Sequence, residues 1–257
     1  MASKFTVQLT PWNILSVLLV IGAATWLAFD PGRRSAPALT NVPENAFEQR
    51  VQKFILDHPE VIAASLDRME ARRRAADEIA ADIDAHADEL FRGAASPVGG
   101  NPKGEITLVE FFDYNCPYCR QVAPVVVEAE KEDPQLRVVF KELPILGPDS
   151  VFAAKAALAA NRQGKYVAFH NALYQAAGTT DQSKVIEVAK SVGLDVDRLE
   201  ADMQNPAIAA LIERNLKLAE VFQINAIPGF VAGHQVVRGA TDLKGLQGFI
   251  EQARATQ

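Results

Sequence analysis

The only two cysteines of this 257-residue sequence stand three apart, in Cys116-Pro117-Tyr118-Cys119. A pair at that spacing, directly after an apolar run and before a helical one, has the layout of an attacking and a resolving thiol. At the first turn of a helix the unsatisfied amides and the macrodipole favour an anion, the form in which Cys116 would attack a disulfide. Pro117 suits the first helical position, where its missing donor costs nothing and its fixed φ already matches. Cys119, one turn on, can reach Cys116 to close a disulfide while lying more shielded. The chemistry is thiol-disulfide exchange: Cys116 attacks a substrate disulfide, Cys119 resolves the mixed disulfide, and the reverse sequence donates a disulfide.

Other uses of the pair fit less well. A structural zinc site needs two more ligands, the sequence has no third cysteine, and His58, His86, His170 and His234 are scattered without ligand spacing. Those histidines read as surface or helix residues. A purely structural disulfide closing so short a loop would constrain the unfolded chain little. Neither a metal nor a cofactor is expected.

The elements that must hold the pair are legible on both sides. Ile106 to Phe112 (ITLVEFF) reads as a strand covered on both faces and interrupted by one acid, Glu110. Leu136 to Leu143 (LRVVFKEL) reads as a second strand, so strand, helix and strand form a βαβ unit of an α/β protein. An alanine-rich helical region follows from about Ser150 to Phe222, broken near Gly164, Gly178 to Thr180, Gly193 and Pro206. Gly229 to Val231 and Gln235 to Arg238 read as a hairpin, and Leu243 to Ala253 as a closing helix. Upstream, six of the twelve residues from Gly93 to Gly104 are Gly or Pro, which marks a boundary and a hinge.

The amino-terminal part has a different character. From Pro11 to Phe29 no residue is charged, and Trp12 and Trp26 lie near the two ends, as expected of an uncleaved membrane-spanning helix. A cleavable signal peptide would have a shorter apolar run closely followed by a small-x-small site. Residues 31–43 hold three prolines and read as a spacer. Residues 44–92 form a charged helical stalk, with seven Lys or Arg against twelve Asp or Glu and a break expected at Pro59. Beyond that proline, Ile62, Met69, Ala76, Ile83 and Leu90 recur every seven residues, the spacing of a weak coiled coil; the alternative is an amphipathic helix packed on its own domain. With 49% hydrophobic residues and a net charge of -6, neither a disordered chain nor a nucleic-acid binder is indicated.

The stretches VEFFDYNCPYCR and KELPILG, with Ala226-Ile227-Pro228-Gly229-Phe230, resemble the DsbA-like thiol-disulfide oxidoreductases of thioredoxin fold. Within them the ScsC-like branch is the nearest match, and NAFEQRVQKFILDHPEVIAASLDRME is similar to its amino-terminal oligomerisation segment. The resemblance implies a thioredoxin-like catalytic domain over residues 93–257 with a helical insertion at about 150–222, preceded by the stalk and, at residues 1–43, by a short tail, the anchor and the spacer. It also implies a cis bond at Ile227-Pro228, with the Ile227 backbone presenting an extended substrate to the thiols. It makes Glu110 a buried acid that exchanges a proton with Cys119. Lys141, from its place on the second strand, is expected to pair with that acid and moderate its pKa shift. The plainer alternatives are a trans turn proline, Glu110 at a strand edge and Lys141 in solvent.

The expected activity is that of an envelope protein disulfide oxidoreductase acting on unfolded or misoxidised exported proteins. Pro117 and Tyr118 do not decide the direction of electron flow, because a small change in thiolate stabilisation shifts the potential. An isomerase or reductase in a homo-oligomer, kept reduced by a DsbD-like membrane reductant, is favoured because several catalytic domains on one stalk raise the local concentration of active sites. A monomeric oxidase served by a DsbB-like membrane oxidant is the alternative, and a thiol-based copper chaperone is an alternative of another class. Such redox chemistry belongs outside the cytosol, so a single-pass anchor in a bacterial inner membrane would hold the catalytic domain in the periplasm. The flanking charges, Lys4 on one side and Arg33 and Arg34 on the other, slightly favour the opposite orientation.

Overall fold

The computed structural model describes residues 46–256. The apolar run from Pro11 to Phe29 and the spacer 31–43 lie outside them, and among the described residues no helix is long and apolar enough to cross a membrane. The described residues belong to two compact units, one ending at Ser65 and the other running from Leu66.

Helices α1 (Ala46–Asp57) and α2 (Pro59–Ala85) are separated at His58, and Pro59 opens α2 at the position where proline is tolerated. Val51 and Phe54 of α1 are exposed, as are Ile62, Leu66 and Met69 of α2, whereas Ile83 near the end of α2 is buried. The seven-residue series therefore divides. Its last members, Ile83 and Leu90, pack with Phe111, Val139 and Phe222 of the catalytic domain, so the own-domain alternative holds at that end. Leu90 also lies beyond α2, in a π-helical turn at Asp88–Arg92.

A five-stranded sheet of order β1-β3-β2-β4-β5 organises the second unit. Its strands are β1 (Val98–Gly100), β2 (Ile106–Phe112), β3 (Leu136–Glu142), β4 (Gly229–Ala232) and β5 (Gln235–Arg238). β2 and β3 pair in parallel and every other pair is antiparallel. β1 corrects the sequence expectation, since the stretch read as a boundary and hinge supplies an edge strand, with Val98 opposite Val139. A three-residue strand containing two glycines carries no alternation from which to read it. The hairpin turns through Gly233 and His234, where Gly233 takes φ 53°, the left-handed region that tight two-residue loops use.

Alternation along the strands gives the sheet two faces. On the front, Leu108 and Phe112 of β2 and Val138 and Phe140 of β3 share a core with Cys119, Val122 and Val126 of helix α3 (Pro117–Glu132). On the rear, Val109, Phe111 and Val139 pack with Ile83 and Leu90. Between β3 and β4 the chain inserts five helices: α4 (Pro148–Arg162), α5 (Tyr166–Gln175), α6 (Gln182–Ser191), α7 (Val196–Met203) and α8 (Pro206–Val221). Asp181, Asp195 and Asn205 cap three of them by accepting a backbone N–H of the first turn. The buried alanines of α4 are small enough for other helices to approach closely. Helix α9 (Leu243–Ala255), capped by Asp242, closes the chain. The architecture is thus the thioredoxin-like α/β fold with a helical insertion.

Candidate active site

The dithiol sits where strand β2 gives way to helix α3. Cys116 is the N-cap, with extended backbone, and Pro117 opens the helix. The turn is set by the Cys116 N–H, which donates to the Asp113 carbonyl at 3.1 Å. Both thiols are free and both are buried, Cys119 completely. The Cys116 Sγ lies 3.6 Å from the carbonyl oxygen of Ile227, to which it donates, and the Ile227-Pro228 bond is cis. Residues more than a hundred positions apart thus meet at the reacting sulfur. Tyr118, between the cysteines, is 61% exposed and projects from the site's surface.

Beneath the helix lies Glu110. It is 1% exposed on the central strand β2, not at an edge, and neither carboxylate oxygen has a hydrogen-bond partner among the described residues. Burial, with a smaller contribution from Glu130, pushes its carboxyl up to about 8. Burial likewise pushes the Cys119 thiol up, and the charges of Cys116 and Glu110 add to that, against a hydrogen bond with the Asp113 backbone that lowers it. Glu110 and Cys119 therefore each disfavour ionisation of the other. One can hold the proton that the other releases.

Lys141 does neither of the things the sequence suggested. The β2–β3 register sets Phe140 opposite Glu110 and Lys141 opposite Phe111, which turns the lysine to the rear face. It is not in solvent either, being 1% exposed. Its Nζ donates to the Glu89 carbonyl at 2.7 Å and to Ser96 Oγ at 2.8 Å, so it fastens the π-helical turn to the sheet. Burial lowers it to about 8.

Several residues around the dithiol escaped the sequence reading. Asp113, directly after β2, accepts from the N–H of Asn115 at 2.8 Å, Ile145 at 2.9 Å and Leu146 at 3.0 Å, tying the turn before Cys116 to the loop after β3. Arg120, next to Cys119, donates to the carbonyls of Leu173, Tyr174 and Ala176 at the end of α5, and to Tyr114 O and Thr180 Oγ1. A cation on terminal helix carbonyls is a favourable cap, and here it binds the active-site helix to the insertion. A buried polar cluster does the same from the other side. Glu142 Oε1 accepts from Tyr166 at 2.7 Å and Tyr114 at 3.2 Å, and the Tyr114 hydroxyl is 3.0 Å from His170 Nδ1. Burial pushes the Glu142 carboxyl up and lowers His170 to about 3, so it favours the uncharged form of each. His170, expected as an ordinary surface or helix residue, lies on a helix but in the core. The one sequence signal for this cluster was Glu142, an acid at the end of a strand whose middle, Val138 to Phe140, is apolar.

A thioredoxin-like sheet, a dithiol at the start of the following helix and a cis-proline turn against it define a dithiol-bearing thioredoxin-fold protein. Residues 107–251 match the DSBA-like thioredoxin domain, and over more than half its length the chain belongs to that family. A solved thioredoxin-like oxidoreductase from Silicibacter pomeroyi is 44% identical, with a TM-score of 0.65, over 66% of this chain and 98% of that one. The catalytic domain of Proteus mirabilis ScsC is 26% identical, with a TM-score of 0.63, over 68% of this chain and 98% of that one. These similarities agree with the ScsC-like branch. Among curated relatives, a Na(+)/H(+) antiporter NhaA from Salinispora arenicola is 28% identical over 160 residues, which are 62% of this chain and 24% of that protein. The chain spans about a quarter of the length of the antiporters it matches.

Proposed function

We propose that this chain is an envelope protein disulfide oxidoreductase that exchanges disulfides with exported proteins, working as an isomerase or reductase in a homo-oligomer. The observation that carries the exchange chemistry is the Cys116 Sγ at the head of α3, 3.6 Å from the Ile227 carbonyl, with Cys119 enclosed one turn further. An extended substrate would pair with the Ile227 backbone, Pro228 would keep other ligands off the sulfurs, and the substrate sulfur would meet Cys116 first because Cys119 is covered. Supporting an oligomer are the exposed Val51 and Phe54 on α1 and Leu66 and Met69 on α2, large apolar side chains that a second copy would cover. A periplasmic location behind a single-pass inner-membrane anchor follows from the need for a redox-managed space. There a DsbD-like membrane reductant would keep the pair reduced.

The test joins two measurements on the full chain: mass in solution, and refolding of a substrate with scrambled disulfides. An oligomer that restores the native pairing, and loses that activity in Cys116→Ser, is expected. A monomer that only oxidises dithiols would replace this reading with the oxidase. Tight copper binding lost in Cys116→Ser, with no action on protein disulfides, would replace it with the copper chaperone.

A further inference from the structure

If Glu110 exchanges a proton with Cys119, that proton arrives in the middle of the sheet and needs a way out. Three other carboxyl groups border the front face. Asp113 is 1% exposed, and its oxygens receive the N–H groups of Asn115, Ile145 and Leu146. Glu142 is enclosed and held by Tyr114 and Tyr166. Glu130, in the last turn of α3, is the partly exposed one, yet its Oε1 is buried without a hydrogen-bond partner among the described residues. Gly99 makes the seat for that oxygen: a Cβ there would stand 2.5 Å from Glu130 Oε1 and 2.8 Å from the Phe140 ring. Phe140 is also the residue opposite Glu110 in the β2–β3 register, so its side chain reaches from the Glu110 position to the Glu130 seat.

We propose that Glu130 is the solvent-facing end of a two-carboxyl proton path that begins at Cys119 and passes through Glu110. This rests on the proton-exchange role of Glu110. In the resolving step the Cys119 S–H bond breaks, and the electron pair left on that sulfur forms the new bond to Cys116 Sγ. The substrate sulfur departs as a thiolate with the pair of the old S–S bond. The proton passes to the Glu110 carboxylate, then through water to the Glu130 carboxylate, and from there to bulk solvent. When the protein donates its disulfide, the path runs inward and delivers the proton to the departing Cys119.

Buried carboxyls are normally served by protein donors or by water, and that of Glu110 has no protein donor among the described residues. Glu130 of α3 acts on Glu110, and the Glu110 charge in turn acts on Cys119 of α3, Glu142 of β3, Tyr114 of the turn and Tyr174 of α5; none of these groups is a cation. Burial raises Glu130 to about 7, just below the value of about 8 for Glu110. A proton can therefore move between them without a large uphill step.

The test follows the reduced full-length chain after mixing with oxidised glutathione, with acid quenching on the millisecond scale. Mass spectrometry then separates the mixed disulfide from the internal one, between about pH 5 and about pH 9. Glu110→Gln should resolve the mixed disulfide on the order of a hundredfold more slowly and lose its pH dependence. Glu130→Gln should resolve about tenfold more slowly at neutral pH, with unchanged formation of the mixed disulfide. Its profile should also move to lower pH, because Glu110 loses a like-charged neighbour; a merely structural role would leave the profile in place. The double variant should be no slower than Glu110→Gln. Gly99→Ala, which displaces the Glu130 carboxyl without removing it, should slow resolution as Glu130→Gln does. A wild-type rate and profile in Glu130→Gln, or additive losses in the double variant, would overturn the path while leaving Glu110 in its role. A wild-type rate and profile in Glu110→Gln would overturn both.

Discussion

On the front of the sheet, Glu110 and Glu142 are buried with no cation bonded to either among the described residues. On the rear, one residue away on β3, Lys141 gives its donors to the Glu89 carbonyl and Ser96, and Arg137 gives its Nη1 to the Phe91 carbonyl. The same strands thus hold, among the described residues, acids without ionic partners on one face and bases bonded to carbonyls on the other. What differs is the outlet for the charge. The rear cations meet the negative end of a helical segment and serve as fasteners. The front acids meet hydroxyls or no donor, and burial raises both carboxyls, that of Glu110 to about 8, where a proton can come and go. A buried group that is fully bonded reads as structure, and one left unbonded beside a reactive sulfur reads as chemistry.

The largest expected effect that tests this contrast is the pH dependence of stability. Folded Glu110 keeps its proton up to about pH 8, whereas the unfolded chain releases it near 4.5, so stability falls as pH rises through that window. The share owed to this one group is on the order of 5 kcal/mol. Denaturant titrations of the reduced protein across that range should show Glu110→Gln losing this share of the slope, and an unchanged slope would place the proton elsewhere. Leu90→Ala, on the rear, should cost about 3 kcal/mol through the cavity it leaves against the sheet, with the exchange rate of the remaining folded protein unaltered. A change in that rate would mean the two faces are coupled. The smallest effect concerns the exposed pair of His234 and Asp84, 2.9 Å apart, where His234→Gln should change unfolding free energy by about 0.5 kcal/mol or less. A larger loss would show that this contact fastens the end of α2 as strongly as the buried ones.

Much of the site was legible because its parts are local. The run ITLVEFF is apolar and β-branched, and it is a strand over the range expected, Ile106–Phe112. The two cysteines and Pro117 describe the start of α3 by themselves. Ile227-Pro228 was found by resemblance, and the thiol lies against it. The partner of Glu110 was misjudged because strand register is not a local property: a shift of one residue decides whether Phe140 or Lys141 shares its face. Tyr114, Glu142, Tyr166 and His170 were missed for a related reason. They are separated by up to 56 residues and are joined only once the insertion folds back. Arg120 was within the motif that carried the resemblance, but its five acceptors belong to helix ends and loops whose positions a sequence does not give.

The pairing of β2 with β4, Glu110 opposite Phe230, has a consequence for how the molecule comes into being. The whole insertion lies between those strands, so the sheet can be completed only by closing a very long loop, a step that folds slowly compared with local contacts. Strand β3 and helix α3 can assemble on β2 beforehand. During that interval the dithiol is present without the Ile227 backbone beside it, and a newly made chain exposes a reactive pair before it has the means to choose what the pair reacts with.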